Sequence, residues 1–147
     1  MKQSSLKKIT ALLIFTLLSG ISQIHAATIT STAQGGLWGE KSTWVGGNVP
    51  TKTDDVIITS EVRTGDFYYS SGRYDMANLT VQPGGKIIRE AAAVGRCLLV
   101  VSGNLINNGE ILDFKDFFDI DVYGNLQNKG HIVTGKQIGR ASCRERV

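Results

Sequence analysis

Past residue 26, apolar residues recur with the two-residue period of a β-strand. In Phe118–Val122, Phe118, Ile120 and Val122 alternate with Asp119 and Asp121, giving one dry face and one wet face. Leu98–Val101 and Ile111–Phe114 are further short apolar runs, rich in β-branched or aromatic residues and bounded by Gly and Asn. No segment beyond the first 26 residues sustains helical spacing; the nearest, Glu90–Val94, is too short. This part of the chain reads as all-β.

The strands belong to a repeat. Val101–Ile111 recurs as Val122–Ile132 at an offset of 21 residues, with identity at Val, Gly, Asn, Leu, Asn, Gly and Ile, seven of eleven positions. A looser copy, Asn78–Ile87, lies 26 residues earlier and carries two extra residues in its turn. A period in the low twenties with Gly/Asn punctuation predicts a solenoid rather than a sandwich of hairpins, because hairpins do not require like residues at a fixed offset. In a parallel β-helix equivalent positions stack about 4.8 Å apart. Leu105 then lies on Leu126, Ile111 on Ile132, and Val101 on Val122. Asn104 and Asn125 stack likewise, with side-chain amides able to bond along the axis. Gly103, Gly124, Gly109 and Gly130 fall at corners that need positive φ or a close backbone approach. The same offset pairs Cys97 with Phe118 and turns it inward, as a small buried hydrophobe.

Both ends of the 147-residue chain read differently from its middle. Lys2, Lys7 and Lys8 precede the apolar run Ile9–Leu18, and a short polar stretch ends in Ile24-His25-Ala26. That is the layout of a secretory signal cleaved after Ala26, and its apolar part is shorter than the roughly 18–20 residues of a membrane span. At the far end, 138–147 matches the translation of a common short-read sequencing adapter, with Gln137 as the codon that brings the adapter into frame. The expected organisation is a signal peptide over 1–26, a capping segment over 27–60, β-helix coils over 61–137 that the tail truncates, and a non-native tail over 138–147.

Setting the ends aside changes the charge. The whole chain is +3, but Ala27–Gln137 holds 10 basic and 12 acidic residues, net −2. A nucleic-acid partner then has no support in composition. Cys143 lies in the tail, which leaves Cys97 alone and no internal disulfide to expect.

Upstream of the repeats stands Leu37-Trp38-Gly39-Glu40-Lys41-Ser42-Thr43-Trp44, then Gly46-Gly47-Asn48-Val49-Pro50 and Asp54-Asp55-Val56-Ile57-Ile58. This pattern resembles the start of exported β-helical proteins of Bacteroidota-type bacteria, and it is similar to the opening of the G-eight domain. The resemblance covers Thr28–Thr134 and implies a right-handed parallel β-helix on a secreted or surface protein, often a longer one with a C-terminal sorting domain. Trp38 and Trp44 are the residues large enough to cover the first coil, whose edge would otherwise stand open.

Chemistry is sparse. Asp113, Asp116, Asp119 and Asp121 cluster within nine residues, and Asp119 and Asp121 are the weak calcium candidates, although no calcium-loop spacing is present. Asp54-Asp55 reads as a turn whose carboxylates bond nearby backbone N–H groups. Without His25, His131 is the one histidine, which excludes triads and paired-histidine zinc sites within this chain. Tyr68, Tyr69 and Tyr74 are the candidates for an aromatic sugar platform. No cofactor is implied. The leading expectation is a non-catalytic exported scaffold or adhesin-like module, secreted or on the outer surface, meeting glycans or cell-surface components. Two alternatives stand beside it: the start of a polysaccharide-active β-helix enzyme whose catalytic coils are missing, and a carbohydrate-binding module.

Overall fold

A computed structural model of the chain describes residues 26–65, 72–89, 96–113 and 118–133. The first turn supplies β1 (Thr28–Thr30) and β2 (Gly36–Leu37). The second holds β3 (Asp55–Ile58), β4 (Glu61–Thr64) and β5 (Gly72–Met76), and the third β6 (Asn78–Val81), β7 (Lys86–Arg89) and β8 (Cys97–Val101). In the fourth come β9 (Leu105–Asn107), β10 (Glu110–Leu112) and β11 (Phe118–Val122), followed by β12 (Leu126–Asn128) and β13 (His131–Val133). Each full turn gives one strand to each of three sheets, ordered β1-β3-β6-β9-β12, β2-β4-β7-β10-β13 and β5-β8-β11. Every pairing between these strands is parallel. The protein is a parallel β-helix of about four turns.

The register is the one that the repeat predicts. Leu105 pairs with Leu126, Val101 with Val122, and Ile111 with Ile132. The looser copy joins the same columns, with Leu79 on Leu105 and Ile87 on Ile111, and its two extra residues are absorbed in the turn around Pro83 and Gly84. Inward columns therefore run unbroken through the molecule. One is Ile29, Val56, Leu79, Leu105 and Leu126; another is Val62, Ile87, Ile111 and Ile132. Alternation along each strand sends the intervening residues outward. Cys97 pairs with Phe118 and is buried, as the offset requires.

The corner glycines answer to close approach rather than to positive φ. A Cβ on Gly109 would fall on the Gly85 carbonyl oxygen, and one on Gly130 on the Gly109 carbonyl oxygen. Adjacent corners pack backbone against backbone, and any side chain would pry the turns apart.

The segment 27–60 places strands in the same sheets as the later coils, since β1 and β2 stack on β3 and β4. Its capping element is the excursion after β2. The chain passes through a 3-10 turn at Lys41–Thr43 and returns antiparallel along the free edge of β1. Thr32 N donates to Thr43 O at 2.8 Å, and Val45 N to Thr30 O at 2.9 Å. The excursion carries Trp38 and Trp44 into the end of the core, edge to face with ring centres 5.0 Å apart. Trp44 Nε1 donates to Trp38 O at 2.8 Å, so the one polar group of that ring is satisfied where it is buried. Trp38 in turn packs on Tyr74, at 5.2 Å between centres. The third sheet begins only with β5, the strand that Trp38 meets through Tyr74.

Candidate functional site

The outer face of the second sheet is a column of charge. Glu61, Lys86, Glu110 and His131 occupy equivalent outward positions on successive turns. Lys86 Nζ and Glu110 Oε2 are 2.8 Å apart, and this pair raises the Lys86 ammonium and lowers the Glu110 carboxyl from their ordinary values. Beside the column runs a shallow open groove of about 290 Å³, floored by the corners at Gly85, Gly109 and Gly130 and walled by Lys86, Glu110 and Lys129. The groove follows from the stacking, because the corners that must be glycine have no side chains to fill it. It is open, and its Glu110 carboxylate is already held by Lys86.

The outer face of the third sheet carries the calcium candidates. Asp119 and Asp121 do share that face, but Arg96 Nε lies 2.6 Å from Asp119 Oδ2, and Asp121 sits in the field of Arg73. Arg73 is itself clamped to Asp75, with Nε and Nη2 both donating to the carboxylate at 2.8–3.0 Å. The Asp119 carboxylate thus has its charge met by a guanidinium, and no group of three or more potential ligands gathers among the described residues. The described members of the four-aspartate run do not share one face. Asp113 is buried, Asp119 and Asp121 face out, and Asp116 lies outside the described residues.

Tyr74 corrects the expectation of a sugar platform at that position. It is 9% exposed, its ring packs on Trp38, and its hydroxyl accepts from Gly65 N at 2.7 Å. It belongs to the core because Tyr74 and Met76 share the inward parity of β5 while Arg73 and Asp75 face out. Tyr68 and Tyr69 lie outside the described residues.

The asparagine ladder is present with different atoms from those expected. Asn78 Oδ1 accepts from Asn104 N at 2.7 Å, and Asn104 Oδ1 accepts from Asn125 N at 3.0 Å. Each side chain thus caps the backbone of the next turn instead of bonding the next amide. Asp55 extends the series, accepting from Asn78 Nδ2 at 2.7 Å. The amide-to-amide bond is found three residues further along the turn, where Asn107 Nδ2 donates to Asn128 Oδ1 at 2.8 Å and to His131 O at 3.2 Å. Asn107 is fully buried and its Oδ1 accepts from Gly109 N, so both ends of the amide are used. Inward parity after Leu105, together with the Asn107/Asn128 identity in the repeat, was the available signal.

A polar patch also lies inside the coil. Thr64 and Arg89 pair in register and are buried, as is Asp113 just beyond β10. Parity again signals it, since Arg89 is two residues from inward Ile87. Burial pushes the Cys97 thiol up to about 11, against the smaller opposing effects of the Thr64 hydrogen bond and the Arg89 charge. The thiolate that nucleophilic or redox work needs is therefore scarce near neutral pH.

At the N-terminal corner Asp54 forms the expected turn. Its Oδ2 accepts from Thr51 N at 2.8 Å and from the Thr51 hydroxyl at 2.7 Å, and its Oδ1 accepts from Ala27 N at 3.1 Å. Burial pushes this carboxyl up, but the Thr51 and Ala27 hydrogen bonds outweigh it and hold the group below its usual value. Asp54 is thus an anionic clasp between the chain's entry and the turn before β3. Comparison of the chain with family models, with curated proteins and with solved structures returned no match, so the functional reading rests on this geometry.

Proposed function

We propose that the chain is a non-catalytic structural or adhesin-like β-solenoid module. On this reading it is exported by its N-terminal signal to the cell surface or medium, as one part of a longer Bacteroidota-type protein with a G-eight-like opening. The observation that carries the reading is where the polar chemistry goes. The outward carboxylates of Glu110, Asp75 and Asp119 are met by Lys86, Arg73 and Arg96, and the buried Asn107 amide serves to stack the turns. Such a body holds a shape and displays its faces. No helix among the described residues is long and apolar enough to cross a membrane.

The test is to express the chain from Ala27 and present it to a panel of polysaccharides, a glycan array and whole cells. Retention on glycans or cells without release of products supports the module. New reducing ends or unsaturated sugar products would overturn it in favour of an enzyme. Glycan binding that is lost in Tyr68→Ala and Tyr69→Ala variants would instead move the reading to a carbohydrate-binding module.

A further inference from the structure

The chain enters the stack at Ala27, the residue that cleavage after Ala26 would make the first of the exported protein. Ala27 O accepts from Asp55 N at 2.8 Å, which starts the pairing of β1 with β3, and Ala27 N points to Asp54 Oδ1. Ala26 and Ala27 are exposed, whereas Asp54 is 7% exposed and fixed from its other oxygen by Thr51. A local turn would need only the Thr51 contacts. The contact with Ala27 spans 27 residues and sets a buried, ionised carboxylate against a backbone nitrogen at the boundary of the leader.

We propose that Asp54 is the receptor for the N-terminal ammonium group created when the leader is removed. A signal-peptidase-class hydrolase and one water cleave the Ala26–Ala27 bond. The hydroxyl goes to the Ala26 carbonyl carbon and a proton to the Ala27 nitrogen, which takes up a second proton near neutral pH. An amide hydrogen bond to Asp54 then becomes an ion pair with a charge-assisted hydrogen bond, shorter and stronger than its neutral counterpart. The ammonium's remaining protons face water, so no second partner is required. The other charged residues of this turn are Lys52 and Asp55, and the Asp55 carboxylate is engaged by Asn78. Processing thus completes the first turn as well as freeing the chain.

The inference rests on the proposed export, and the two are tested apart. Mass and N-terminal sequence of the exported protein test the cleavage; a first residue other than Ala27 overturns the processing step whatever happens in vitro. The capture is tested on purified chains that begin at Ala27, at Ala26, or at Nα-acetylated Ala27, which keeps an N–H but loses the charge. For the Ala27 chain, the α-amine should titrate about one unit above its usual value near 8, as expected beside a carboxylate. Its folding equilibrium constant at pH 6.5 should exceed those of the other two about tenfold, since a raised pKa stabilises below the unfolded value and ceases to as pH rises through the folded one. The advantage should vanish in Asp54→Asn. If that variant does not fold, the acetylated chain decides alone. An α-amine that titrates normally, with equal stability of all three chains, overturns the capture.

Discussion

The two ends of the described stack are built from the same columns and finished in opposite ways. At the first turn the chain doubles back on the edge of β1 and seats two tryptophans over the core, both buried. At the last, β12 and β13 have no strand beyond them among the described residues. Leu105 and Leu126 sit in near-identical sequence, on adjacent turns of one column, yet the first is 0% exposed and the second 43%. Burial in a solenoid is therefore set by the turn above as much as by the residue itself.

The sharpest way to break this contrast is at the closed end. Trp44→Ala removes the largest buried side chain of the cap together with its bond to Trp38 O, and is expected to cost about 3–5 kcal/mol. Urea unfolding of the variant measures it; a loss under about 1 kcal/mol would mean that the tryptophans decorate the end without closing it. The contrast is sharpened next by one substitution made twice. Leu105→Ala is expected to cost about 2–5 kcal/mol, and Leu126→Ala, whose site is already wet, under about 1.5 kcal/mol. Equal losses would show that the last turn is covered in solution.

The smallest effect is one of pH. Asp54's carboxyl lies below its unfolded value of about 3.9, so its stabilisation is complete above that value and fades as pH falls through the folded one. Urea midpoints taken from pH 6 down to pH 3 should decline less steeply in Asp54→Asn than in the parent chain. Parallel declines would assign the acid sensitivity to other carboxylates.

Register was legible because seven identities at one offset leave little freedom in how the turns are aligned. Identity of residue type does not specify which atoms bond, so the Asn104/Asn125 ladder was placed correctly and wired wrongly. Tyr74 and Arg89 share a different cause. Residue chemistry suggested a surface role for Tyr74, while strand parity points inward for both, and parity is the better guide. The antiparallel return of residues 43–45 along β1 had no local signature. It depends on partners more than ten residues away, which neither period nor composition encodes.

Near-identical turns carry a hazard of their own. A chain that skipped one coil could set β12 on β6 and still place leucine on leucine, so the apolar columns alone would tolerate the mistake. The column holding Asn107 and Asn128 does not, because its preceding member is Val81. After such a skip Asn128 would face a valine and forfeit its amide-to-amide bond with Asn107, a loss of about 0.5–1.5 kcal/mol. One pair of amides thus acts as a counting mark, telling the winding polypeptide which turn it has reached.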